Sequence, residues 1–342
     1  MEVFLVGGAV RDELLGKKPK DKDYVVTDST PQEMRSLGFQ EIGQSFPVYL
    51  HPMTREEYAL IRGVSLKEDL ERRDLTINAM AMNQEGEIID PFFGKQDLDN
   101  KILRHVSIHF AEDPLRIFRV ARFQASLPEF SIALETKAFM RKIISSLEFT
   151  QLSGERIFRE MKLALEARGP TLFFETLKEL GALHFYFLEI DSLSHEEWKQ
   201  SMSFLGSMLL KNSAPMIRYS ALLHLIDPLR IRALGKRLKA PNDWTEAAVI
   251  VAKYHKKIPQ VASMEARSIV KMFYEMDAFR RPYLIEILSE TCEDKVAVKY
   301  LEECFHKTFK IKIDPSLTHL TGKAIGEEIK EERIRALASG VD

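Results

Sequence analysis

With 342 residues, 45% of them apolar and 29% charged, the chain can bury sizeable cores and is expected to form two or more lobes. Nothing approaches the ~18 uninterrupted apolar residues of a membrane span, and the first apolar run is too short and too soon followed by charge for a signal peptide, so the cytoplasm is the expected compartment and no membrane partner is expected. A net charge of −2 gives no global basic footprint for nucleic acid, and any basic surface must be local.

In chain order, Val3–Val6 reads as a short buried strand. It runs into Gly7-Gly8-Ala9-Val10-Arg11-Asp12, where the two glycines leave backbone N–H groups open to a triphosphate at the start of a helix. After the turn Leu15-Gly16-Lys17-Lys18-Pro19 comes Asp21-Lys22-Asp23, leading into a second strand, Tyr24–Thr27. Aspartates at i and i+2 on a strand point to one face, so Asp21 and Asp23 can hold divalent metal beside that phosphate, the geometry of two-metal phosphoryl transfer. A bare D-x-D is more often a solvated acidic loop; the order of strand, glycines, arginine and second strand favours the metal site. Val48–His51, Tyr58–Ile61 and Ile88–Ile89 are further strand signals. Glu57, on the run ending at Arg62, is the candidate third carboxylate, with a plain surface acid as the alternative.

The segment Glu71-Arg72-Arg73-Asp74-Leu75-Thr76-Ile77-Asn78-Ala79-Met80 places Asp74 and Asn78 four apart. On a helix they share a face and can bind ribose hydroxyls while an arginine reaches phosphate; a helix start capped by Asp74 is the competing reading. In Glu112-Asp113-Pro114-Leu115-Arg116, Pro114 suits a first helical turn with Asp113 at the cap. Asp113 can also accept from an exocyclic amine and Arg116 donate to a ring nitrogen or carbonyl, which matches the Watson–Crick edges of cytosine and adenine and mismatches those of uracil and guanine. Arg119 and Arg122, further along, are placed to reach a triphosphate, or else to ion-pair on an exposed helix.

Residues 1 to about 104 alternate strand and short helix signals, an α/β or α+β lobe. From about Asp113 the apolar spacing is helical (Leu115, Ile117, Phe118, Val120, Ala121, Phe123), and breaks at Ser126–Pro128, Gly169-Pro170, Asn212–Pro215, Ala240–Asp243 and Asp314–Ser316 read as helix connections. The middle is rich in Arg and Lys, from Arg116 to Arg168. Cys292 and Cys304, the only cysteines, lie far from any cluster of metal ligands and are expected to be packed thiols.

Together these stretches resemble the class II tRNA nucleotidyltransferases, the bacterial CCA-adding enzymes and their relatives. The likeness covers the glycine-arginine-aspartate opening with Asp21 and Asp23, Arg72-Arg73-Asp74 to Asn78-Ala79, Asp90-Pro91-Phe92-Phe93-Gly94 with Asp97-Leu98, and Glu112–Arg116, and it continues through Gly154-Glu155-Arg156-Ile157 and Glu160. The resemblance implies an α+β fold: a polymerase-β-like head with a small mixed sheet over 1–104, then a helical neck over 105–180 and a helical, tRNA-binding body and tail over 181–342. It implies magnesium (Mg2+) on Asp21 and Asp23, ribose selection by Asp74 and Asn78, base reading by Asp113 and Arg116, and nucleotide contacts from Gly7, Gly8, Arg11, Arg73, Arg119 and Arg122. The implied substrates are the tRNA 3′ end and CTP, with ATP if adenosine is also added.

Two departures sharpen this. Members of the CCA-adding type carry a flexible polar loop between the strand near Arg62 and the helix before Arg72, where this chain has only Gly63–Glu71. Relatives specialised for CC addition lack that loop, so the short connector points to CC addition, with a separate A-adding enzyme as an open partner; complete CCA addition and poly(A) synthesis share the same motifs. A catalytically inactive RNA-binding relative fits less well, because the metal pair and the base-reading pair are both intact. The second half resembles a worn-down HD phosphohydrolase region. Ala221-Leu222-Leu223-His224-Leu225 has Leu225 where a metal-binding aspartate is expected, and an apolar residue cannot ligate metal. His184, His195 and His255 are expected to be surface or packed histidines.

Overall fold

The computed structural model describes residues 1–42, 47–311 and 322–339. They divide into two compact units, Met1–Ala182 and Leu183–Asp342. The expected break at Asp314–Ser316 lies outside the described residues.

The first unit opens with β1 (Glu2–Val6), α1 (Gly8–Leu14), β2 (Asp23–Thr27), α2 (Pro31–Ser36), β3 (Gln40–Ile42), β4 (Val48–Leu50) and β5 (Glu57–Leu60). Then come α3 (Leu66–Glu71), a single 3-10 turn at Thr76–Asn78, β6 (Ala81–Met82) and β7 (Ile88–Ile89). The strands make one mixed sheet in the order β3-β4-β5-β2-β1-β6-β7, with β2 and β5 parallel at its centre and the other pairs antiparallel. Alternation along β1 and β2 sends Phe4, Val6 and Val25 to one face, against Leu70, Ala79 and Ala81, and Val26 to the other, against Met34 and Tyr49. The central strands β1 and β2 are thus packed on both faces.

The chain continues through α4 (Gly94–Asp99), β8 (Ile102–Leu103), α5 (Arg116–Ser126), β9 (Ser131–Ile132), α6 (Leu134–Ile144), α7 (Leu147–Thr150), α8 (Gly154–Glu166) and α9 (Pro170–Leu180). The two-residue strand β9 pairs with β8, the one extended element among the described residues after Asp113. Helix α5 faces two ways. Ile117, Phe118, Val120 and Ala121 are fully buried, with Phe118 stacked on Phe149 at 5.7 Å, while Arg116, Arg119 and Arg122 recur every third residue on another face. Packing of the apolar face therefore aims the basic one.

In the second unit α12 (His195–Leu210), α13 (Pro215–Leu222), α14 (Pro228–Leu238) and α15 (Asn242–Tyr254) follow the short helices α10 (Leu183–Tyr186) and α11 (Leu188–Asp191). Next are α16 (Ala266–Glu275), α17 (Tyr283–Glu290), α18 (Lys295–Phe309) and α19 (Gly322–Ala338). Pro170, Pro215 and Pro228 each open a helix, where a missing N–H costs nothing. Both cysteines are buried free thiols. Among the described residues no helix is long and apolar enough to cross a membrane.

His224 lies in the turn after α13. Its Nδ1–H donates to the Ala221 carbonyl at 2.8 Å, and its ring packs on Phe204 at 4.7 Å and His255 at 4.9 Å. Among the described residues no three His, Cys, Asp or Glu side chains gather to hold a metal. Burial is the main reason its pKa falls from 6.5 to about 4; the Ala221 bond opposes the shift, and His255 and Lys256 add to it. The native ring stays neutral where the unfolded one takes a proton. The stability it supports is fully present above about pH 6.5 and is lost as pH falls toward 4, by at most about 3 kcal/mol. Trp198 and Trp244, the chain's two tryptophans, lie in this unit, so urea unfolding followed by their fluorescence should weaken across that window. His224→Asn should flatten the slope; an unchanged slope would assign the titration to other groups.

Candidate active site

The strand ends of the first unit open onto a cleft of about 750 Å³. Nine arginines and six carboxylates line it, so it carries an excess of positive charge suited to a polyanion. Of the residues singled out from the sequence, Gly7, Gly8, Arg11, Asp23, Glu57, Arg73, Asp74, Asn78, Asp113, Arg116, Arg119 and Arg122 all line this one space. Asp21 does not.

Asp23 is the first residue of β2, paired with Val6 of β1 on one side and in register with Glu57 of the parallel β5 on the other. Parallel register gives Asp23 and Glu57 the same face. Asp21 is not on the strand, contrary to the alternation argument: the ladders to β1 and β5 both run out at Asp23, and Asp21 lies exposed in the bend before it. It is still close enough to act on its neighbour. Desolvation raises the Asp23 pKa, Arg73 pulls it down, and the Asp21 charge pushes it up again.

A carboxylate crowded by burial and a like charge is relieved by a bound cation, and these hard oxygen donors fit a divalent ion. Among the described residues no three carboxylates, imidazoles or thiolates form a ready-made cage. The set therefore fits an ion that completes its shell with phosphate and water oxygens.

Beside the carboxylates lies the strand-to-helix turn. Gly7 has φ +74°, which favours glycine, and a Cβ there would stand 2.8 Å from Arg73 Nη1 and push the end of that side chain aside. The Gly7 N–H is not open: it donates to the Met80 carbonyl at 3.3 Å. Arg73 Nη2 reaches Asp69 Oδ2 at 3.3 Å, and its buried Nε has no hydrogen-bond partner among the described residues. That orphaned donor is costly unless an anion uses it.

Asp74 and Asn78 meet, though not along an α-helix, since Asp74 precedes the 3-10 turn that contains Asn78. Asn78 Nδ2 donates to Asp74 Oδ1 at 3.0 Å, the Leu75 N–H donates to the same oxygen at 2.8 Å, and Arg119 Nη2 holds Asp74 Oδ2 at 2.7 Å. Asn78 Oδ1 in turn accepts from Arg11 at 2.7 Å. Asp74 is 5% exposed. Burial alone would raise its pKa; the Arg119 charge and these hydrogen bonds outweigh that and hold it far below the usual carboxylate range.

The base-reading candidates are also engaged. Asp113 Oδ1 accepts from Leu115 N–H at 3.2 Å and Oδ2 from Arg156 at 2.7 Å. Asp113 thus braces the turn before α5, which starts two residues after Pro114, rather than capping the helix itself. Arg116 donates to the backbone carbonyls of His109, at 2.7 Å, and Arg72, at 2.5 Å. Arg122 is tied to Glu160 at 2.6 Å.

Sequence reasoning did not single out Asp69, Phe123 or Arg156 for this site. Asp69 had a readable signal, since it stands one helical turn before Arg73. Arg156 joins Asp113 across 43 residues, and no local spacing announces such a contact.

Residues 3–57 and 48–104 match the poly A polymerase head domain, and residues 129–193 match a probable RNA and SrmB-binding site of polymerase A. A CCA-adding enzyme of Coxiella burnetii is 37% identical over 361 aligned positions, covering 98% of this chain and 95% of that protein. A multifunctional CCA protein of Aliivibrio salmonicida is 40% identical, covering 86% of this chain and 84% of that protein. The solved Thermotoga maritima CCA-adding enzyme complexed with tRNA has the same fold, with TM-score 0.73 over 100% of this chain and 88% of that chain at 21% identity. With the head domain matched in sequence and full-length relatives this similar, the chain belongs to the class II tRNA nucleotidyltransferase family and is an enzyme of that type.

Proposed function

We propose that this tRNA nucleotidyltransferase adds two cytidines from CTP to the 3′ end of tRNA, releasing pyrophosphate at each step. The observation that carries the CC reading is the connector between β5 and α3. It is five residues long and fastened at several points: the Arg62 N–H donates to Asp69 Oδ1 at 3.1 Å, the Val64 N–H to Glu68 Oε2 at 3.1 Å, and Ser65 caps α3 through the Glu68 N–H at 3.3 Å. Such a stretch has no length for a loop that reshapes the pocket from cytosine to adenine. The Coxiella alignment, at 361 positions, exceeds this chain's 342 residues, so that relative carries segments with no counterpart here.

In this reading Asp21 and Asp23 hold Mg2+, which when bound activates the tRNA 3′-hydroxyl and stabilises the triphosphate for in-line displacement. Arg11, Arg73, Arg119 and Arg122 bind the triphosphate, and Glu57 sits beside Asp23 as the third carboxylate. Asp113 and Arg116 read the base; to do so Asp113 exchanges Arg156 for the exocyclic amine, and Arg116 gives up one backbone carbonyl. The division of labour is a catalytic head over 1–104, a neck over 105–180 and a tRNA-binding body and tail over 181–342, with the neck and body holding the acceptor end by shape and backbone contacts. The fold shared with the tRNA-bound Thermotoga enzyme supports a tRNA acceptor. The cytoplasm is the compartment this substrate implies.

The names of the relatives favour a second reading, complete CCA addition. Sequencing the 3′ ends made on a tRNA transcript lacking CCA decides between them. With CTP and ATP together, CC addition leaves molecules ending in CC and none extended by A. A terminal A at comparable yield would overturn the proposal.

A further inference from the structure

We propose that Phe123 is the positioning residue of the triphosphate site, a single ring that carries the guanidinium groups of Arg11, Arg119 and Arg122. The proposal rests on the reading of these arginines as phosphate ligands. Their guanidinium carbons stand 5.3, 5.9 and 4.2 Å from the ring centroid, within the range of cation–π attraction. Phe123 lies one helical turn beyond Arg119 and next to Arg122 on α5, is 6% exposed, and lines the cleft.

Three cations drawn to one place repel one another. Each has a carboxylate partner: Asp12 for Arg11 at 2.8 Å, Asp74 for Arg119 at 2.7 Å and Glu160 for Arg122 at 2.6 Å. Those contacts occupy N–H donors that a phosphate also needs. The aromatic face attracts the same three charges without taking a donor from any of them. It also limits where each planar group can lie beside the cleft. Leucine at this position would fill much of the space and supply none of the attraction.

The test is steady-state kinetics with CTP and tRNA. Variants would be Phe123→Leu, Phe123→Tyr and a graded series with mono-, di- and trifluorophenylalanine at position 123, in which ring volume is nearly constant while the negative face weakens. The KM for CTP should rise stepwise with fluorination, by roughly 10-fold at the trifluoro stage, with kcat changing less, and Tyr should stay within about threefold of the parent. If Phe123→Leu does not fold, the fluorinated series still decides. A trifluoro enzyme with the parent KM would overturn the proposal and leave Phe123 as packing. Arg122→Ala serves as the control: if it too leaves the CTP KM unchanged, the triphosphate reading is what fails.

Discussion

Asp23→Asn should lower kcat for cytidine transfer by about a thousandfold or more, with CTP, tRNA and Mg2+ saturating, while binding of CTP falls far less. Asparagine keeps the volume and the strand position and removes only the charge. Asp21 is not placed to take that charge over. Asp23 is locked by pairing to both Val6 and Glu57, whereas Asp21 lies in the bend before the strand, off the cleft wall. Glu57 shares the face of Asp23 on the adjacent strand, and Glu57→Gln in parallel separates a third metal ligand from a surface acid: the first loses turnover, the second leaves it within a few-fold. An Asp23→Asn enzyme that retained a tenth of its turnover would remove Asp23 from the chemistry altogether.

How much of this was readable before the fold depends on how local each relation is. The strands of β1, β2, β4, β5 and β7 announce themselves by apolar and β-branched runs, and all five form. Gln40–Ile42, Ala81–Met82 and the β8–β9 pair were not anticipated, because their extended state is imposed by a partner strand rather than announced by a paired β-branched run such as Ile88-Ile89. The convergence of Gly7, Asp23, Asp74, Asp113 and Arg116 on one cleft was legible through motif order, since each motif brings its own turn or helix start. The internal wiring was not. Arg11 meets Asn78 across 67 residues, and Phe123 on a helix with an apolar face reads as core until three arginines are seen around it.

That wiring bears on the ribose role expected of Asp74 and Asn78. Both Asp74 oxygens and both polar atoms of the Asn78 amide are already engaged, so a ribose hydroxyl has to share or displace an internal partner. Asp74→Ala removes the charge that holds Arg119 and leaves that guanidinium, 38% exposed as a side chain, without its closest partner. The loss should be about 1–3 kcal/mol of stability for the first unit, from the buried Leu75 N–H and Asn78 amide left without their acceptor, read as a lower urea midpoint by circular dichroism together with faster amide exchange around Thr76–Asn78 and α5. Asp74→Asn keeps the shape and one acceptor and should cost less, which makes it the variant for kinetics. If Asp74 acts chiefly by orienting Arg119, incorporation from CTP and from dCTP falls by the same factor. If Asp74 grips the ribose directly, incorporation from CTP falls and that from dCTP does not, and the ratio between them collapses. Saturation of its hydrogen bonds favours the equal loss.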